Sequence, residues 1–263
     1  MSDSYDRREL LKRGIRTAAG GAILLGGGTL IGACGTPAGK SRTQPSGPGS
    51  QRPGGSLTFA TEAEETGFNP ATNVWDSTGL LYARTVYDPL FTLAPDGSVQ
   101  PYLAASISPS ASYTRWRIGL RPGIRFHDGS PLDAAAVKAN LDAFAASPLT
   151  GPALSDVAGT TVLDSMTVEV ATQGAWVPYP YYLTQQVGCM AAPSYLASTD
   201  REAAPVGTGP FVYSEWVPGS HFTATRNPRY WRAGLPYLDE ITYRPIPDTV
   251  SREESLVAGT VDL

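Results

Sequence analysis

The chain has 263 residues with a formal net charge of −4, and it is 41% hydrophobic and 17% charged. That is long and apolar enough to bury a core, too apolar for a disordered chain, and too acidic for a typical nucleic-acid binder. Two Cys and two His, all far apart, argue against a structural zinc site. Gly 28 and Pro 23, without a strict period, point to many turns and at least one linker.

Residues 1–33 hold Arg7, Arg8, Lys12, Arg13 and Arg16 against Asp3, Asp6 and Glu9, followed by an apolar run from Ala18 to Ala33 with six glycines. At 16 residues the run is short for a membrane-spanning helix, which needs about 20, and reads as a cleaved signal. The pair Arg7-Arg8 resembles a twin-arginine export signal. Leu30-Ile31-Gly32-Ala33-Cys34 resembles a bacterial lipobox, which implies a lipid on Cys34 and attachment to the outer face of the cell membrane. Residues 34–55 are then a Gly/Pro/Ser tether. With Cys34 lipidated, Cys189 is expected to be a buried small apolar residue.

The folded part is expected to open with a strand over Ser56–Thr61. Asp76 or Ser77 caps a helix to about Tyr87, with Leu80, Leu81, Arg84 and Tyr87 at helical spacing. Strand character returns at Leu90–Leu93 and, after the Pro95-Asp96-Gly97 turn, at Val99. Thr114–Leu120 alternates, with Trp116, Ile118 and Leu120 on one face, which predicts a half-buried antiparallel strand. Asp133 caps a helix over 134–145 with Val137, Leu141 and Phe144 inward. Hairpins follow at Thr160–Leu163 with Met166–Val170, and at Gly209–Trp216 with His221–Arg226 across Pro218-Gly219. Ile241, Tyr243 and Pro245 mark another strand. Ser251 with Glu254 reads as a capping box opening a helix that ends near Gly259, and Val261–Leu263 reads as the start of a strand. The mixture is α+β or mixed α/β.

Four segments carry a resemblance. They are Val86-Tyr87-Asp88-Pro89-Leu90-Phe91 with Pro101-Tyr102-Leu103-Ala104; Leu120-Arg121-Pro122-Gly123-Ile124-Arg125-Phe126-His127-Asp128-Gly129; Pro205-Val206-Gly207-Thr208-Gly209-Pro210-Phe211 with Asn227-Pro228-Arg229-Tyr230-Trp231; and Leu256-Val257-Ala258-Gly259-Thr260-Val261-Asp262. In this order and spacing they resemble the family-5 extracellular solute-binding proteins, receptors of peptide and nickel ABC transporters. Asp133-Ala134-Ala135-Ala136-Val137 departs from the family, which usually has an acidic residue just before the Val.

The resemblance implies a mixed α/β, periplasmic-binding-protein-like fold (type II, cluster C) that closes two lobes on a ligand, with only the N-terminal lobe and its extra subdomain present. It divides the chain into 56–76 and 189–258 for lobe I, 77–188 for an inserted subdomain and 259–263 for the crossover to a second lobe, so the chain is expected to be shortened. It also implies that the first strand and following loop line the ligand site. Thr61, Glu62, Ala63, Glu64, Trp75 and Asp76 are therefore the candidate ligand-binding residues, against a solvated glutamate loop and a core tryptophan as the alternative.

The expected partners are an oligopeptide or other small solute and the permease subunits of an ABC importer, with the lipid anchor as the membrane contact. A nickel chelate, haem or oligosaccharide is the alternative within the family. A secreted hydrolase or a structural surface lipoprotein is the alternative outside it. Neither a catalytic constellation nor a metal-ligand cluster is legible, and no cofactor is expected. Gly207-Thr208-Gly209-Pro210 lacks the following helix and Lys of a phosphate loop. His127 beside Asp128 suggests a base and its orienter, but no nucleophile stands at fixed spacing.

Overall fold

A computed structural model describes residues 52–198 and 204–263. Arg7, Arg8, Cys34 and nearly all of the expected tether lie outside the described residues. The strands are β1 Ser56–Thr61, β2 Phe91–Leu93, β3 Val99–Pro101, β4 Ala104–Pro109, β5 Arg115–Leu120, β6 Val157–Asp164, β7 Thr167–Thr172, β8 Phe211–Val217, β9 His221–Arg226 and β10 Glu240–Pro245. The helices are α1 Ser77–Val86, α2 Ala134–Ala146, the single turns α3 Tyr179–Tyr182 and α4 Pro193–Leu196, and α5 Thr249–Ala258.

Two four-stranded sheets organise these elements. The first runs β1-β10-β9-β8, with β1 parallel to β10 and the rest antiparallel. A parallel pair needs a crossover connection, and here most of the molecule lies between Ser56 and its partner Glu240. The second sheet, β4-β5-β7-β6, is antiparallel throughout. The alternation read in β5 is realised: Trp116, Ile118 and Leu120 are buried with Val168 and Val170, beneath Val137, Leu141 and Phe144 of α2. Asp133 caps α2 by accepting from the Ala136 N–H at 2.8 Å. Asn140, fully buried on α2, both donates to and accepts from the backbone of Ala191, which fastens this helix to the returning chain.

Under the first sheet α1 packs an aromatic cluster. Tyr82 lies against Tyr243 with ring centroids 4.4 Å apart, and both meet Phe222. The Thr85 and Tyr243 hydroxyls share a hydrogen bond at 2.8 Å. The packed face of α1 is thus Tyr82, Ala83 and Val86; of the expected Leu80, Leu81, Arg84 and Tyr87, Tyr87 is fully buried and Leu80 packs against the cluster, whereas Leu81 is 37% exposed. The reason is that the core here is aromatic and hydroxyl-bonded, so Tyr82 does what an aliphatic residue would do elsewhere. The apolar cluster of this sheet accordingly includes residues on both sides of position 77.

Other differences have equally local causes. Strand β4 was not expected, because Ala104–Pro109 holds one large apolar residue, Ile107, and forms a sheet edge with most residues exposed. The cap of α5 is Asp248, whose carboxylate accepts from the Ser251 N–H and hydroxyl, so the helix starts two residues before the expected capping box. Gly259 ends it in the left-handed region, at φ 71°. Val261–Leu263 is not a strand, but the N–H of Asp262 donates to the carbonyl of Thr58 and the N–H of Ala60 to the carbonyl of Leu263, at 2.8 and 2.7 Å, so it lies along β1. Cys189 is buried, as expected, and burial pushes its thiol up to about 12.

Gly207 and Gly209 allow the chain entering β8 to lie directly on the end of α1. A Cβ on Gly207 would overlap the Val86 carbonyl, and the N–H of Gly209 donates to that same carbonyl at 2.8 Å. We expect Gly207→Ala to lower unfolding free energy by about 1–3 kcal/mol, since backbone must move to admit the methyl. Gly159→Ala, with open space around the added carbon, should stay within about 0.5 kcal/mol of the unaltered chain. Urea denaturation of both variants checks the pair.

Candidate functional site

An open cleft of about 300 Å³ lies where β1 ends, α1 begins and α5 passes. Phe59, Thr61 and Glu62 come from β1 and its exit, Thr78 and Leu81 from α1, and Arg252 from α5. The local chemistry explains the meeting point. The Thr61 hydroxyl donates to the Ala63 carbonyl at 2.9 Å and pairs with the Tyr82 hydroxyl at 2.8 Å, turning the chain at the strand end and tying it to α1. Asp76 caps α1, accepting from the Gly79 N–H at 2.9 Å.

Of the residues singled out in the sequence, Thr61 and Glu62 line this cleft. Glu62 is exposed and makes no hydrogen bond or ion pair among the described residues. Ala63, Glu64, Trp75 and Asp76 are outside the lining. Glu64 accepts from the Trp216 indole at 2.9 Å and from the Gly219 N–H, so it pins the β8–β9 turn. Trp75 is 6% exposed, stacks on Tyr87 and donates to the Gly67 carbonyl. Glu65 lies beside the start of α1, against Gly79; burial first, and then the charge of Asp76, push its carboxyl up to about 7.

Arg252 is the charged cleft residue that the sequence reading missed. Its Nη1 donates to the carbonyls of Ile246 and Pro247 at 2.6 and 2.8 Å, and its Nη2 to the Thr249 hydroxyl at 3.2 Å. A signal existed: a cation near the start of a helix faces the positive end of its dipole and is locally unfavourable. Here the carbonyls of Ile246 and Pro247 and the nearby charge of the capping Asp248 offset that.

The motif residues form a different feature, a knot beside Asp88. This carboxylate is 3% exposed and accepts from the Trp231 indole at 2.8 Å, the Tyr230 hydroxyl at 3.1 Å and the Thr208 hydroxyl at 3.4 Å. Asn227 donates to the Gly209 carbonyl. So does His127 through Nε2, at 3.0 Å, while its Nδ1 faces the Gly207 N–H. A carbonyl only accepts, so this ring is the neutral Nε2–H form, in keeping with burial lowering its pKa. Both ring nitrogens serve backbone, which leaves neither for a nucleophile. Among the described residues, no group of three or more His, Cys, Asp or Glu could hold a metal ion, and no helix is long and apolar enough to cross a membrane.

Comparison with known proteins agrees with the motif resemblance. The model of the bacterial extracellular solute-binding proteins, family 5 Middle, matches residues 98–263. Glutathione-binding protein GsiB of Salmonella paratyphi A is 33% identical over 190 residues, which are 70% of this chain and 37% of that protein. The chain thus spans little more than a third of that relative's length. Among solved structures, the binding protein AgaA of A. tumefaciens R10 in complex with agropinic acid superposes with a TM-score of 0.73 at 27% identity, covering 79% of this chain and 43% of that one. Periplasmic binding protein DppA of Helicobacter pylori, in complex with the peptide STSA, gives 0.70 at 25%, covering 80% and 46%.

The Asp88 knot predicts a pH dependence. Burial pushes this carboxyl from its ordinary 3.8 up to about 7, against the three donated hydrogen bonds, which favour the charged form. Between about pH 4 and 7 the native state therefore keeps a proton that the unfolded chain has lost. Stability from this group is complete below that window and falls as pH rises through it. Glu65 acts in the same direction. The urea midpoint should drop from pH 5 to pH 8, less steeply in Asp88→Asn and least in Asp88→Asn with Glu65→Gln; an undiminished slope in the double variant would contradict the assignment.

Proposed function

Because this chain belongs to the bacterial extracellular solute-binding proteins of family 5, we propose that it captures a peptide-like solute outside the cytoplasm and delivers it to the permease of an ABC importer. The observation that carries the reading is the charged cleft at the exit of β1, lined by Thr61 and Glu62, in a chain whose relatives include a glutathione-binding protein and a binding protein in complex with a peptide. Both of those ligands are peptides. The AgaA complex supports a second reading, a small non-peptide acid in the same cleft.

In this reading residues 56–76 and 189–258 form the lobe that carries the cleft, 77–188 an inserted subdomain, and 259–263 a crossover. The packing of α1 under the first sheet favours counting residues 77–87 with that lobe. Hinge closure about such a crossover is how two-lobed receptors sequester ligand. Ala63, Glu64, Trp75 and Asp76 then hold the cleft in shape around Thr61 and Glu62, as their bonds to turn, core and helix start suggest. Calorimetric titration of this chain with glutathione and with Ser-Thr-Ser-Ala is the direct test. The cleft is open, whereas ligand pockets usually cover 70–90% of a small ligand, so we expect a Kd of about 0.1–1 mM. No saturable binding of either peptide at millimolar concentration would refute the reading.

The proposal extends to export and anchoring. Arg7-Arg8 and the segment ending at Cys34 support twin-arginine export followed by lipidation. Cys34→Ala should move the protein from the membrane fraction to the soluble one, and Arg7→Lys with Arg8→Lys should retain precursor in the cytoplasm. Fractionation and immunoblotting read both outcomes; membrane retention of the Cys34 variant after washing would remove the anchor from the proposal.

A further inference from the structure

A second pocket, of about 320 Å³, lies at the opposite end of the first sheet from the cleft. The cleft takes Thr61 and Glu62 at the exit of β1, whereas this pocket takes Tyr237 and Leu238, which lead into the parallel strand β10. The length of β10, about 20 Å of extended chain, lies between the two ends. The loop before β10 is fastened from behind. The Tyr237 carbonyl accepts from the Gly54 N–H at 2.7 Å and the Leu238 carbonyl from Arg226 Nε at 3.0 Å, while Arg226 is matched by Asp239 at 2.8 Å. The loop is thus held in place without help from a ligand, as is usual for small-molecule pockets.

Phe211, Leu235 and Leu238 give this pocket apolar walls, and Arg232 is the one charged residue of its lining. The polar groups beside Arg232 bond in one direction. Tyr230 donates its hydroxyl proton to Asp88 at 3.1 Å, so the Tyr102 hydroxyl is the donor in the 3.0 Å bond between the two tyrosines, and Arg232 Nη1 donates to the Tyr102 oxygen at 3.1 Å. Both hydroxyl protons are therefore spent inward. The donors left for the pocket are those of the guanidinium, which has five N–H groups. It is also steadied over the Tyr102 ring, 5.4 Å from the centroid. Asp88 lies behind the tyrosines and its charge reaches Arg232, but burial pushes that carboxyl up to about 7, and a second guanidinium, Arg121, lies over the Trp231 ring that bonds to Asp88. Positive charge is in excess on this side of the pocket.

We infer that this pocket is a second binding site, for a small carboxylic acid with an apolar or aromatic body, its carboxylate on Arg232 and its body against Phe211, Leu235 and Leu238. A planar guanidinium matches a carboxylate with two parallel N–H bonds, which are stronger than neutral ones. A ligand ammonium would face Arg232 with like charge. A polar body would give up its water to apolar walls, at a cost. The volume suits such a ligand, since small-molecule pockets begin at about 300 Å³. The inference is independent of which solute occupies the cleft.

The test is ligand-observed NMR on this chain with three probes: 3-phenylpropanoate, 3-phenylpropanamide and acetate. The phenylpropanoate should bind saturably with a Kd of about 0.1–2 mM, as suits a ligand of so few atoms. The amide lacks the charge and acetate lacks the body, so each should bind at least about tenfold more weakly. In Arg232→Gln the phenylpropanoate and its amide should bind alike, and Arg232→Lys, which keeps the charge, should recover part of the preference for the acid. Glutathione, the probe for the cleft, should not displace the phenylpropanoate. Should Arg232→Gln fail to fold, the comparison of acid with amide on the unaltered chain decides. The inference is overturned by equal binding of the phenylpropanoate and either other probe, by a preference for the acid that survives in Arg232→Gln, by displacement with glutathione, or by no saturable binding of the phenylpropanoate up to roughly 20 mM. Each of these outcomes leaves the solute-binding reading of the cleft standing.

Discussion

Asp88 gathers hydrogen-bond donors from Thr208, Tyr230 and Trp231, more than a hundred residues along the chain, onto one buried carboxylate. It sits where the first sheet's helix ends and the second sheet's chain begins, since the carbonyls of Pro89 and Leu90 accept from Leu103 and Ala104, and the Asp88 carbonyl from Met190. The family motifs are therefore structural in this molecule. The first three converge on the join between two cores rather than on the cleft, and the fourth, residues 256–262, ends against β1. A satisfied buried network of this kind is worth more than its separate bonds, and removing one member strands the rest. The glycines at 207 and 209 belong to the same constraint, because only bare backbone can come close enough to the Val86 carbonyl for Thr208 to reach Asp88.

Much of the fold was legible wherever one local rule dominated. Strand β5 alternates cleanly because one face is covered by α2 and the other is open to water. Asp133 and Asp76 announce their helices because a short acceptor before a helix has little else to do. Legibility failed where tertiary context set the outcome. An edge strand such as β4 needs little burial and shows little pattern. The stripe of α1 was legible only in part, at Leu80 and Tyr87, because its anchor Tyr82 pairs its hydroxyl with Thr61 while its ring packs in the core, and hydropathy alone sees only half of that.

The cleft was half visible for a similar reason. Thr61 and Glu62 follow the first strand directly, so the end of that strand points to them. Arg252 reaches the same space from the far end of the chain, and no local pattern ties it to residue 62. Its one clue is electrostatic, a cation where a helix dipole disfavours it. The neighbouring acids are easier to sort with coordinates than without: Glu64 is spent on a turn, Glu65 is buried beside Asp76, and Glu62 alone of the three lines the cleft.

The parallel pairing of β1 with β10 bears on the order in which the molecule assembles. The Gly55 N–H donates to the Asp239 carboxylate across a separation of 184 residues, whereas every pair in the second sheet joins strands within 104–172. Closing a long loop costs entropy before its contacts repay it, so local pairings form sooner. The second sheet and the β8–β9–β10 meander are thus expected to form early and β1 to dock late. Until it docks, β10 presents an open row of backbone donors and acceptors, the kind of edge on which chains join one another. Among the described residues the first strand made is the one that finally closes that edge.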